Sequence, residues 1–167
     1  MIETHDIERA TSNSSSAPFV ELHQAFPSSV AAISPFADQL MRFIKRFTLS
    51  FGAAKETEDE VEIAINEALT NAVTHGNQEN PEKQVHVACR CSMDGELLIT
   101  VRDEGEGFDS RAVPDPTEAQ KLLLTHGRGL YIMRTLMDEV SFEENGTVVL
   151  IRKRMKPRIP GHLPAQE

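Results

Sequence analysis

Apolar positions recur at three- and four-residue steps from Ile33 through Phe36, Leu40, Phe43, Ile44 and Phe47. That period belongs to a helix with one face turned to a core, and it predicts a helix from about Ser28 to Phe51 that Gly52 stops. A second stripe, Ala64, Ile65, Ala68, Leu69, Ala72 and Val73, predicts a helix from about Thr57 to Gly76, with Gly76 placed as its C-terminal cap. Elsewhere the period drops to two. Phe19 to Phe26, Gln84 to Ser92, Leu97 to Asp103, Glu139 to Glu143 and Thr147 to Arg154 read as strands. Asp94-Gly95 and Asn145-Gly146 are hairpin turns between neighbouring strands. The run EGEGFDSRAVPDP holds too much glycine and proline for a regular element and reads as a loop, followed by a third helix from Leu130 to about Met137. Strands and helices do not alternate in βα order. The expected architecture is an α/β (α+β) two-layer sandwich, a mixed, mostly antiparallel sheet covered on one face by helices.

A chain of 167 residues can bury one core without a metal or disulfide. Residues 1–17, ending in a serine-rich run, read as a flexible leader, residues 18–156 as the folded domain, and residues 157–167, rich in proline, as a tail. A formal charge of −9 argues against a nucleic-acid-binding body. The one basic cluster, Arg152, Lys153, Arg154, Lys156 and Arg158, reads as a solvated strand end. Cys89 and Cys91 share a strand face with Val85 and Val87 and read as core. No apolar run fits a signal peptide or a membrane span, so the expectation is a cytoplasmic protein with no membrane partner.

Candidate chemistry begins beside the second helix's apolar stripe. Glu67, Asn71 and His75 stand at i, i+4 and i+8, so a carboxylate, an amide and an imidazole project along one line. On the third strand Asp103 is in phase with Leu97, Ile99 and Val101 and points inward, where its carboxylate needs a donor. Either a ligand amino group or a backbone N–H of the following loop would serve. Gly105 and Gly107 permit a flat ligand to approach the backbone. Gly127, Arg128 and Gly129 enter the third helix, whose N-terminus offers N–H groups and a positive dipole to phosphate. Leu130, Met133, Leu136 and Met137 form that helix's apolar face, and Tyr131 reads as core with the methionines. Neither the P-loop nor the dinucleotide fingerprint occurs, so a nucleotide site here belongs to another fold.

The ordered set EALTNAVTHGN, DEGEGFD, GRGLYIMRTLMDEV and NGTVV resembles the N, G1, G2 and G3 boxes of the Bergerat or GHKL ATP-binding fold, over roughly Phe19 to Met155. Within that superfamily it is similar to the anti-sigma factor serine/threonine kinases of bacterial partner-switching systems. Histidine kinases usually carry a lysine and an aromatic residue after the N-box asparagine, where this chain has His75-Gly76-Asn77.

The resemblance implies ATP and Mg²⁺ as ligands. It makes Asn71 the Mg²⁺ ligand and Glu67 the general base toward a protein hydroxyl. Asp103 would accept from the adenine amino group, with Gly105 and Gly107 at the base and Thr147 helping to hold it. Gly127, Arg128, Gly129 and Leu130 would close over the phosphates, with residues from about Ser110 to His126 as a mobile lid. Thr74 and His75 flank the phosphate region, either as ligand contacts or as packing and capping groups at the helix end. The implied partners are a STAS-type antagonist protein as phosphoacceptor, a sigma factor or other regulatory target, and a second copy of the chain in a homodimer; the phenylalanine-rich first helix reads first as packed on its own sheet, with a dimer interface as the alternative. The alternative is a partner-switching kinase, or a nucleotide-gated binding module, acting on a secretion or signalling regulator.

Overall fold

The computed structural model describes residues 17–107 and 128–155. In chain order these form β1 (Phe19–Pro27), α1 (Val30–Phe51), α2 (Lys55–Asn71), a π turn over Ala72–Gly76, β2 (Gln84–Ser92), β3 (Glu96–Arg102), α3 (Arg128–Leu136), β4 (Glu139–Glu143), a 3-10 turn over Glu144–Gly146, and β5 (Val148–Arg154). The sheet order is β1-β2-β3-β5-β4. All four pairings are antiparallel, the limit of the mostly antiparallel sheet expected. Helices cover one face.

Alternation in the strands and three-to-four spacing in the helices meet in a single core. Val85, Val87, Cys89 and Cys91 of β2, Leu97, Ile99 and Val101 of β3, and Val149 and Ile151 of β5 are all buried. Against them lie Leu40 and Ile44 of α1 and Val61, Ile65 and Leu69 of α2, each fully buried. A side chain of this kind contributes about 1.5 to 3 kcal/mol when fully removed from water, so the facing stripes fix which side of the sheet the helices take. Phe26 stacks on Phe36 with centroids 4.4 Å apart and ties β1 to α1. Both cysteines are free thiols, and a hydrogen bond donated by the Cys89 thiol to the Cys91 sulfur, together with burial, pushes the Cys89 thiol up. The core reading of the pair holds.

Three contacts set α2 and α3 relative to the sheet. Thr48 Oγ1 donates to Glu58 Oε1 at 2.5 Å, joining α1 to α2 after Gly52 ends α1 in the left-handed region. Lys153, in the core-facing phase of β5, sends Nζ to the Leu136 carbonyl at 2.5 Å and to Glu60 of α2 at 2.8 Å. A cation at the end of α3 complements that helix's negative terminus. The other end of α3 meets α2 at Gly129, described below.

Among the described residues of the basic cluster each cation is engaged: Arg152 pairs with Glu96 and with Glu139, and Arg154 pairs with Asp94 at 3.7 Å. Lys156 and Arg158 lie outside the described residues. Tyr131 departs from expectation. It is 44% exposed, because α3 turns Leu130, Met133 and Met137 inward and the residue one position after Leu130 points away. No helix among the described residues is long and apolar enough to cross a membrane.

Candidate nucleotide site

A cavity of about 400 Å³ opens between the end of α2, the start of α3 and the sheet. Val101 and Val149 supply its sheet wall, Ala68 and Ala72 its α2 wall, and Leu130 and Met133 its α3 wall. Size and lining suit a flat apolar ring with a few polar handles. A second hollow of about 430 Å³, on the uncovered face around His23, His86 and Arg102, carries no residue of the four sequence motifs.

The polar handles sit at the rim. Asn71 and His75 line the cavity from the α2 side, and Asp103, Gly107 and Thr147 from the strand ends. The π turn brings about the first set. Asn77 N–H reaches back to the Ala72 carbonyl at 2.8 Å, five residues earlier, so the helix widens in its last turn. The expected α-helix through Gly76 therefore stops at Asn71. Gly76 is not the C-terminal cap anticipated for it: it lies inside the π turn, and Asn77 follows as the cap. A methyl at Gly76 would fall on the Asp103 Cγ and both its oxygens, and a methyl at Gly105 on the Gly76 carbonyl. The helix end, Asp103 and the following loop are in backbone-to-side-chain contact that only glycine admits.

Asp103 points in as its phase required. Its own N–H donates to the Thr147 carbonyl at 3.0 Å, and its Oδ1 accepts the Gly105 N–H at 2.8 Å. The backbone donor is thus real, and the carboxylate still faces the cavity. Burial pushes its pKa above the ordinary aspartate value, against the Gly105 N–H, which lowers it. Gly107, at φ 78°, lies so close to the Asn145 carbonyl that any side chain would collide, which seats the loop after β3 against the β4–β5 turn.

At the far end, Glu67 and Asn71 face α3 together. A methyl at Gly129 would sit 2.6 Å from Glu67 Oε2 and 3.3 Å from Asn71 Nδ2. Asn71 lines the cavity and Glu67 stands just beyond it. Arg128 is exposed at the start of α3. Thr74 does not line the cavity; its hydroxyl donates to the Thr70 carbonyl at 2.8 Å. Gly127 and the lid from about Ser110 to His126 lie outside the described residues.

Two residues escaped the sequence reading. Asn77 is fully buried; its side chain donates to the Gln84 carbonyl at 2.9 Å and accepts the Glu104 N–H at 2.7 Å, clamping the helix end to β2 and to the loop after β3. Gln78 lines the cavity. An asparagine directly after the helical pattern was the only sign of either. Glu104 in turn accepts from the Gln84 N–H at 3.0 Å and meets His86 at 3.0 Å; the His86 contact holds its carboxyl below the usual range.

Among the described residues no three His, Cys, Asp or Glu side chains gather into a metal cage. Where the cavity approaches the start of α3, the Asn71 amide oxygen would offer a hard cation such as Mg²⁺ a single protein ligand.

Comparison with known proteins accords with this geometry. The model of the histidine kinase-like ATPase domain matches residues 27–153. An anti-sigma F factor of Heyndrickxia coagulans is 40% identical over 96 residues, covering 54% of this chain and 65% of that one. The serine-protein kinase RsbW of Staphylococcus epidermidis is 34% identical over 123 residues, 66% of this chain and 77% of that one. A solved structure of the RsbU and RsbW domains of a Mycobacterium tuberculosis protein superposes with a TM-score of 0.51 at 20% identity, over 81% of this chain and 32% of that one, a likeness of fold. The chain belongs to the histidine kinase-like ATPase domain family, whose GHKL fold its four motifs announced, and is similar there to an anti-sigma factor and serine-protein kinases.

Proposed function

We propose that the chain is an ATP-dependent protein serine/threonine kinase of the anti-sigma factor type, which phosphorylates a small STAS-type antagonist and alternates between that protein and a sigma factor. The observation that carries the reading is the cavity with Asp103 at one end and Asn71 at the other, and Glu67 immediately past Asn71. Adenine lies against Val101, Val149 and Met133, its amino group donating to Asp103, with Gly107 and Thr147 beside it. Asn71 and the start of α3, Arg128 to Leu130, take the phosphate end. His75 lies along the same wall, and Thr74 serves the helix end rather than the ligand. Asn71 would hold Mg²⁺, which would supply charge neutralisation at the transferred group.

Glu67 accepts the proton of the acceptor's hydroxyl as that oxygen bonds to the γ-phosphorus and the bond to the bridging oxygen of ADP breaks. Phosphate on the antagonist adds about 1.5 to 2 negative charges at the interface, which favours its release from an acidic kinase. A homodimer has the uncovered sheet face available, since Phe36 and Phe47 of α1 are spent in the core; a monomer by sedimentation would remove that surface.

The alternative, a nucleotide-gated binding module for a secretion or signalling regulator, keeps the cavity and dispenses with Glu67. The deciding experiment incubates purified protein with Mg²⁺ and γ-labelled ATP in a soluble extract of its own cells, beside Glu67→Gln. Acid-stable label on a small protein with the wild type alone is expected. ATP binding with no label would leave the binding module standing.

A further inference from the structure

The cavity wall holds one amide side chain that none of the four motifs assigns a task. Gln78 follows His75 and Gly76 along the α2 side. Its backbone is left-handed, φ 56°, and so is that of Glu79, φ 55°. Two successive residues with Cβ atoms in that region are disfavoured and persist only where the surroundings dictate them. Here they do. Asn77 is clamped on three sides as described, the Glu79 N–H returns to the Val73 carbonyl at 2.8 Å, and the Asn80 N–H to the Asn77 carbonyl at 3.1 Å. The chain thereby wraps the end of the helix instead of running off it. Because Gly76 lies on the Asp103 carboxylate, the wrapped segment sits at the Asp103 end of the cavity rather than at Asn71.

We propose that Gln78 is a base-recognition residue, its side-chain amide donating to the ring nitrogen N1 of adenine while Asp103 accepts from the neighbouring amino group. The inference rests on the nucleotide reading above and deepens it. A carboxylate can only accept, so Asp103 can serve only the amino group; the adjacent N1 is itself an acceptor and needs an N–H. Gln78 carries two such donors, the remaining lining groups near Asp103 being backbone, carboxylate or apolar, apart from His75 and Thr147. The pair then reads both positions of the edge by which purines differ.

The test uses ATP and 1-deaza-ATP, which has a C–H in place of N1. The variant is Gln78→Gly, which removes the amide at a φ that glycine adopts freely, and melting confirms its fold. Wild type should bind 1-deaza-ATP about 3- to 10-fold more weakly than ATP, the net worth of one neutral hydrogen bond. Gln78→Gly should bind ATP more weakly by the same factor and no longer distinguish the two nucleotides. A Gln78→Gly protein with wild-type ATP affinity, or one that keeps the full preference for ATP, would overturn the assignment. Wild type that binds neither nucleotide would overturn the nucleotide reading itself, an outcome separate from either.

Discussion

Gly129→Ala is the substitution through which the catalytic geometry can be tested with least damage to the fold. The new methyl would stand 2.6 Å from Glu67 Oε2, and relief to an ordinary contact of 3.4 Å asks for a retreat of about 0.8 Å. Either α3 or the Glu67 side chain must move. The far end of α3 is tied by Lys153 to the Leu136 carbonyl and to Glu60, whereas Glu67 ends in freely rotating bonds, so the carboxylate yields. Stability should hardly change. Alanine is favoured over glycine in a helix by up to about 1 kcal/mol, less in the first turn, and this offsets the cost of moving one partly buried carboxylate.

Transfer should suffer far more. A base contributes about 10²- to 10⁴-fold and a misplacement of about 1 Å costs about 10²-fold, so a loss of roughly 30- to 100-fold is expected. The assay pairs thermal melting and ATP titration with the rate of acid-stable labelling of the acceptor protein. Gly129→Ala combined with Glu67→Gln should lose less than the product of the two single losses, since both act chiefly through the Glu67 carboxylate, with only a lesser contact of the methyl on Asn71 besides. Transfer within twofold of wild type would refute the reasoning, as would a collapse in melting temperature, which would show that α3 and not Glu67 gives way.

Gly76→Ala places a methyl on the Asp103 carboxylate, which Gly105 holds in place, and should weaken ATP binding by about tenfold or more in titration calorimetry, the worth of a hydrogen bond to a charged group. Asp103 has a raised pKa, so the folded state holds its proton to higher pH than the unfolded chain. Stability from this group falls as pH rises from the ordinary aspartate value through the raised one, while ATP affinity, which needs the ionised acceptor, rises through the folded pKa. Asp103→Asn should bind less tightly with a flat profile over that window, and a profile that still slopes would count against the assignment. Asn77→Ala strands the Gln84 carbonyl and the Glu104 N–H and should cost about 2 to 4 kcal/mol in urea unfolding; a loss under about 0.5 kcal/mol would mean the clamp is dispensable. With Glu67 beside the phosphate end, removal of Mg²⁺ should weaken ATP binding about tenfold or more, and Glu67→Gln should recover part of the loss. Equal Mg²⁺ dependence in both proteins would place the carboxylate elsewhere.

Elements that bury one face were legible in the chain because a buried face repeats. The α1 stripe, the alternation in β2 and β3 and the Asp94-Gly95 turn each fixed a local arrangement that the fold retains. The end of α2 was not legible. Ala72 and Val73 continue the apolar stripe and both are buried, so periodicity carries on smoothly while the hydrogen bonding changes from four residues back to five. Gly76 misled for a related reason. A glycine in sequence signals that a side chain is unwelcome, and a left-handed turn, a phosphate loop and a carboxylate pressed on the backbone all produce that signal. Which one applies depends on atoms brought from elsewhere in the chain, Asp103 for Gly76 and Glu67 for Gly129. Tyr131 failed the other way: its type fits a core, but its angle on α3 faces water.

The same contacts explain why binding and transfer should separate so cleanly in these variants. Asp103 and the loop after β3 are held by backbone hydrogen bonds, and Gly76 packs directly on the Asp103 carboxylate, so this end is organised before a ligand arrives and costs little to bind. Among the described residues Glu67 has no such lock. It is outside the cavity, past Asn71, at the point where α3 approaches α2 most closely, and its position follows from where α3 begins. Residues 108–127 lead directly into that start. On the proposed reading, a shift of the first turn of α3 toward α2 would therefore displace the Glu67 carboxylate while leaving the Asp103 end untouched.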